Sequence, residues 1–247
     1  MQQEDRVAIV REALQKSDTI VAVVHDIRKM LRMASRMTRS KRIREYLRAN
    51  RIRKLQLGAG STSLPGWLCT DLIHRPGEVV YLDVTKPFPF DNVLFDFISS
   101  EHLIEHLSWG DGRRMLLECY RVLKPGGIIR TATPDLGVLL GLYGPTATPD
   151  REQYIKWITD CFLAGVDVYK PQFAINTAFC KRGHQFLYDG EILELALRRA
   201  GFEDITRCKY GESLHEHLRG IECHGMKVGS TEMISYETMV YEARRPE

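Results

Sequence analysis

The segment Lys54-Leu55-Gln56-Leu57-Gly58-Ala59-Gly60, followed by an apolar run that ends on Asp71, constrains this chain most. It reads as a buried strand, a glycine turn and a second strand closed by a carboxylate. An α/β sheet holds the adenosine part of a cofactor in this way: glycines let the backbone approach the ligand, and the carboxylate accepts ribose hydroxyls. The turn alone leaves the cofactor open. It lacks the third glycine of a dinucleotide fingerprint, and Pro65 does not suit the helix that opens there in nicotinamide-binding domains. The absence of a Gly-Lys-Ser/Thr sequence excludes a P-loop.

From residue 52 to about 133, short apolar strands alternate with helical segments. Strands are expected at 54–57, 67–70, 79–82, 95–99 and 127–131. A helix is expected over 111–123, stopped by Lys124-Pro125-Gly126-Gly127. This alternation argues for a doubly wound parallel sheet. A further helix is expected over 189–200, with Asp189 as its N-cap and Gly201 as its stop. The tail, 234–244, reads as one long strand with 205–209 as its hairpin partner. Residues 134–183, rich in proline, glycine and aromatics, read as an irregular insert of the kind that forms substrate lids. Before the sheet, Ile20, Val24, Ile27, Leu31 and Ala34 fall on one helical face, and a second helix is expected over 41–49. The chain therefore divides into a helical extension, 1–50, which serves as a lid or as a contact with the domain or a second copy, and a domain, 51–247.

At 247 residues the chain has room for one large core plus that extension. No apolar run approaches the roughly 20 residues that span a bilayer. The first residues lack the apolar region of a signal peptide, which makes the cytoplasm the expected compartment. Six cysteines at wide, irregular spacing point to reduced, mostly buried thiols. Charge is uneven. Twelve basic residues and one acid, Glu45, lie between Arg28 and Lys54, so the remainder is net acidic. Such a segment suits a phosphorylated acceptor, a polyanion or an anionic membrane surface, or is simply a solvated helix face. No aromatic interleaving accompanies it, which speaks against single-stranded nucleic acid.

The later motifs narrow the cofactor. Asp71 is followed by Tyr81-Leu82-Asp83-Val84 at the third strand and by Ser99-Ser100-Glu101-His102-Leu103-Ile104-Glu105-His106 at the fourth. Tyr120-Arg121-Val122-Leu123-Lys124-Pro125-Gly126-Gly127 then leads into the fifth. This ordered series resembles the class I S-adenosylmethionine-dependent methyltransferases, in a branch tied to small-molecule and glycan biosynthesis. The resemblance implies a Rossmann-like, doubly wound, seven-stranded sheet, mostly parallel with an antiparallel C-terminal strand. It also implies roles. Gly58, Ala59 and Gly60 line the methionine part of S-adenosylmethionine. Asp71 takes the ribose hydroxyls, with Leu72 on the adenine. Asp83 takes the adenine amino group, with Val84 beside it. Ser99 and Ser100 bound the methionine end. Gln56 stands where many members of the family carry an acid that organises the methionine ammonium.

Methyl transfer to an alcohol benefits from a base that titrates near neutral pH, for which histidine is suited. His102, His184 and His106 are the candidates, in that order. His102 follows the fourth strand, His184 lies in a loop expected to fold over the same edge, and His106 sits one helical turn after His102. His215, His217, Glu222, Cys223 and His224 invite a zinc reading, but no second ligand pair completes a zinc pattern, and no metal is expected. The leading expectation is O-methylation of a small molecule, sugar or sugar nucleotide. The acceptor is free, phosphorylated or part of a glycan, and the N-terminal helices are a candidate homodimer contact. The alternatives are RNA or tRNA methylation using the basic 28–54 segment, or a non-catalytic subunit that keeps the fold. The chain carries no recognisable RNA-binding module, so no stable nucleic acid partner is expected.

Overall fold

The computed structural model describes residues 39–73, 75 and 77–247. The helix expected around residues 20–34 and the part of the basic run before Arg39 lie outside the described residues.

Seven strands form one sheet: β1 (Lys54–Leu57), β2 (Leu68–Asp71), β3 (Val80–Tyr81), β4 (Phe95–Glu101), β5 (Leu123–Pro134), β6 (Glu203–Cys208) and β7 (Thr238–Arg244). Their spatial order is β3-β2-β1-β4-β5-β7-β6. The first five run parallel, and β7 is antiparallel to both β5 and β6. This is a Rossmann-like doubly wound sheet. The near-continuous burial of β1 and β5 is what a parallel sheet covered on both faces requires.

The order reverses between β1 and β4. From β1 the chain steps outward to β2 and β3, then returns to the other side of β1. Gln56 pairs with Ser99 and Leu57 with Ser100 across that seam. Ligands of open α/β sheets bind outside the carboxyl ends of the strands at such a switch point. Here it is flanked by the glycine turn on one side and by Glu101-His102 on the other.

A helix, α1, covers 39–49 of the described chain. Ile43 is buried in the main core, and the Tyr46 hydroxyl receives the Lys54 N–H at 2.7 Å and donates to the Lys54 carbonyl at 2.9 Å. The end of the extension thus clamps the start of β1. Helix α2 (Trp109–Val122) is capped by Ser108, whose hydroxyl accepts the Asp111 N–H. It buries Met115, Leu116 and Cys119 on the sheet.

Three expectations are corrected. Residues 134–183 are not irregular: they hold α3 (Leu136–Gly141), α4 (Pro149–Phe162) and α5 (Pro171–Cys180). These helices close a core of their own around Leu139, Tyr154, Ile158 and Ala178. Proline at the start of α4 and α5 opens those helices rather than breaking them. The C-terminal strand begins at Thr238, because 231–237 form a helix that the Ser230 hydroxyl caps by accepting the Met233 N–H. The partner of that strand, β6, is antiparallel as expected. The connection between them is a long excursion rather than a hairpin. It carries α7 (His224–Lys227) and α8 (Thr231–Glu237), while α6 (Gly190–Arg199) precedes β6 with Asp189 at its N-cap. All six cysteines are free thiols; Cys69, Cys119 and Cys223 are buried, whereas Cys161 and Cys180 are exposed. Among the described residues, no helix is long and apolar enough to cross a membrane.

Candidate active site

At the end of β1 the backbone turns through Gly58 and Gly60, at φ of 65° and 55°, a region that side chains disfavour. A Cβ on Gly58 would also meet the Leu103 side chain at 3.0 Å. Gln56 is buried below the turn. Its Nε2 donates to the Thr62 carbonyl at 3.2 Å, and its Oε1 accepts the Leu64 N–H at 3.1 Å. In this arrangement the Gln56 amide shapes the loop after the turn, a task an acid, with no N–H to donate when ionised, does only in part.

Asp71, at the end of β2, accepts the Gly60 N–H and the Ile73 N–H, each at 2.8 Å. Its carboxylate thus ties the end of β2 to the glycine turn and keeps lone pairs for further donors. Leu72 beside it is 45% exposed. Asp83 follows β3 and holds Thr85 through Oδ1 alone, from the backbone N–H at 3.0 Å and the hydroxyl at 2.7 Å. It borders a cavity of about 310 Å³ shared with Tyr81, Lys86 and Arg39. Val84 is buried next to it. Ser99 and Ser100 lie near the end of β4 at the switch point, and the buried Ser100 hydroxyl has no partner among the described residues.

A roof crosses these elements from the C-terminal excursion. Glu101, the last residue of β4, accepts the backbone N–H groups of Cys223 and His224 at 2.9 Å each. This anchors α7, from which Lys227 reaches the Ala59 carbonyl at 3.2 Å. An ammonium group therefore stands over the glycine turn. Sequence pattern does not place Glu101, His224 and Lys227 together at this edge, since more than 120 residues separate Glu101 from its partners.

On the far side of the switch point, four histidines gather around Glu105. His102 takes a left-handed φ of 46°, which turns its ring inward. Its Nδ1 lies 3.2 Å from Glu105 Oε1, and its Nε2 lies 3.0 Å from the Thr238 hydroxyl. Burial opposes a charge on His102, but the Glu105 contact and the surrounding carboxylates outweigh it and raise its pKa. Burial likewise opposes ionisation of Glu105, yet His102 holds its carboxyl well below the usual carboxylate range. Glu105 Oε2 accepts the Thr133 hydroxyl at 3.0 Å. His224 stacks on His102 with ring centroids 4.2 Å apart. Burial, then the charges of His102 and Lys227, push its pKa down to about 3.

The 183–186 loop folds over the same edge, since Gln185 and Phe186 both donate backbone N–H groups to the Glu105 carbonyl. It brings His184 edge-on to His106, with centroids 4.9 Å apart. His106 Nδ1 faces the Gly183 carbonyl at 3.3 Å. His184 Nδ1 is buried without a partner among the described residues, and burial lowers the pKa of this ring. The structure thus brings His102, His106 and His184 together, but with different freedom: both nitrogens of His102 are engaged, whereas His184 keeps one open.

The residues of the zinc reading do not converge. Glu222 pairs with the buried Arg130. His215 and His217 lie against Phe97, with centroids 6.1 and 5.3 Å away.

Residues 68–131, which run from β2 into β5, match the family model described as a methyltransferase domain. No curated protein sequence matches the chain. Among solved structures, the chain is similar to a putative methyltransferase of Haloferax volcanii in complex with the Trm112 activator, at 12% identity and a TM-score of 0.43. That match covers 87% of this chain and 94% of the other. It is also similar to a SAM-dependent methyltransferase of Archaeoglobus fulgidus, at 14% identity and a TM-score of 0.44, covering 88% and 94%. A third match is the CurJ carbon methyltransferase, at 15% identity and a TM-score of 0.42. It covers 79% of this chain and only 49% of that one.

Proposed function

We propose that this chain, built on a class I methyltransferase domain, transfers the methyl group of S-adenosylmethionine to a hydroxyl of a small, sugar-like acceptor. The observation that carries the reading is the grouping of Glu105 with His106 and His184 on the same sheet edge as the glycine turn.

The residues present fit the cofactor. The turn is open to backbone approach, Asp71 and Asp83 offer carboxylates at the ends of β2 and β3, and the buried Ser100 hydroxyl lacks a partner among the described residues. Gly58, Gly60, Asp71, Asp83, Ser99 and Ser100 would hold it, and Lys227 would meet its carboxylate. When bound, S-adenosylmethionine supplies an electrophilic methyl group on a sulfonium. The chain aligns the acceptor, excludes water and receives a proton. Positioning falls to the His102–Glu105 pair, which fixes the edge. His184, kept neutral by its burial, accepts the hydroxyl proton. The Nε and Nη2 atoms of Arg182 are buried without partners among the described residues, which suits an acceptor that carries an anionic group such as a phosphate.

The test is formation of S-adenosylhomocysteine when the protein is given S-adenosylmethionine with sugar phosphates, nucleotide sugars, glycosides or bulk RNA. Turnover with a hydroxylated small molecule is expected. His184→Ala should lower kcat by about 100-fold or more with unchanged cofactor affinity. Turnover with RNA alone, or cofactor binding without turnover on any acceptor, contradicts the reading.

A further inference from the structure

We propose that Glu105, His106 and His184 form a binding site for one divalent transition-metal cation. Each offers one ligand atom, and these atoms lie within 4.8 Å of one another. The donor set is two imidazoles and a carboxylate, which suits zinc or cobalt rather than magnesium, whose preference is for oxygen. Three protein ligands leave a coordination position for an exogenous oxygen.

Independent observations point the same way. Glu105 Oε1 is fully buried and has His102 Nδ1 on one side, at 3.2 Å. His184 Nδ1 is buried with no partner among the described residues. A buried ring nitrogen without a partner is costly unless something occupies the space beside it. The supporting contacts are those of a metal site. With His106 Nδ1–H donating to the Gly183 carbonyl, Nε2 keeps its lone pair, and Glu105 Oε2 is steadied by Thr133. Tetrahedral zinc needs ligand atoms about 3.4 Å apart, from metal–ligand distances of about 2.1 Å. The inward movement this requires falls on the exposed Gly183-His184 loop, where Gly183 already takes φ of 73°.

Binding of the cation does not depend on the proposed reaction; only its role does. Without the cation, His184 stays free to act as the base proposed above; a bound cation would hold His184 as a ligand, take the acceptor hydroxyl as its further ligand and acidify it, the proton passing to water.

The experiment uses the full chain, stripped with chelator and titrated with Co²⁺ alone while the visible ligand-field absorption is followed. One equivalent of Co²⁺ with visible bands is expected, displaced by Zn²⁺. In His106→Ala and in His184→Ala the affinity should fall by at least tenfold, while calorimetric binding of S-adenosylmethionine stays as in the unmodified chain. That second readout separates the cation site from the cofactor site and reports that both variants are folded. Absence of bands, or equal Co²⁺ affinity in both folded variants as an adventitious histidine site elsewhere would give, overturns the proposal.

Discussion

His102 and Glu105, three residues apart at the carboxyl end of β4, form a buried ion pair with Nδ1 and Oε1 separated by 3.2 Å. Neither side chain has a solvent escape, so each is the main counter-charge of the other. Removing one charge leaves the other stranded in a low-dielectric site.

Glu105→Gln should therefore destabilise the fold by about 3–5 kcal/mol, the usual cost of orphaning a buried charge. Urea unfolding followed by circular dichroism checks this. A loss below about 1 kcal/mol would mean that the pair is effectively solvated.

Lys227 makes one hydrogen bond to the protein at the glycine turn, to the Ala59 carbonyl at 3.2 Å. Its charge is better explained by a ligand carboxylate than by the fold. Lys227→Ala should weaken S-adenosylmethionine about 10- to 100-fold, the worth of a charge-assisted hydrogen bond. Unfolding stability should stay within about 0.5 kcal/mol. Calorimetry of the variant checks the first point and denaturant unfolding the second.

His224 gives a pH signature. Its folded pKa of about 3 lies below its unfolded value of 6.5, so the unfolded chain takes up the proton first as pH falls. The stability tied to this depressed value is fully present above about pH 6.5 and is lost progressively toward pH 3. His102, with a raised pKa, acts in the opposite sense: its contribution is full at low pH and is lost as pH rises. His224→Phe keeps the stacking on His102 and removes the titration. Between pH 7.5 and 5, chelator-treated wild type should lose about 1 kcal/mol more than this variant. That figure is discounted from the limit of about 1.4 kcal/mol per pH unit because the ring is partly solvated. Parallel pH profiles for the two proteins would show that His224 titrates normally.

Much of the fold was legible in local pattern. Leu55 and Leu57 bracketing Gln56, with glycine next, predict β1 with its observed bounds. Asp189 and Gly201 bound α6 because capping and left-handed stops are local chemistry. Ile234 reads as part of the tail strand because its apolar neighbours continue into β7, and nothing there marks the Ser230 cap strongly. The candidate site was half legible. Spacing brings His102, Glu105 and His106 together on one turn. That His102 has both nitrogens engaged depends on Thr238, which lies 136 residues away. His224 and Lys227 reach the site only because the Glu101 carboxylate collects backbone N–H groups, and long-range contacts of that kind leave no periodic trace.

The central claim is that the edge formed by Gly58, Gly60, Asp71 and Asp83 holds S-adenosylmethionine. Isothermal titration of the full chain with S-adenosylmethionine tests it most directly, with Asp71→Ala measured alongside. One saturable site is predicted, weakened at least tenfold in the variant through loss of a charge-assisted contact and of the Gly60 anchor. No saturable heat with the unmodified, folded chain, or equal affinity for the two proteins, would contradict it.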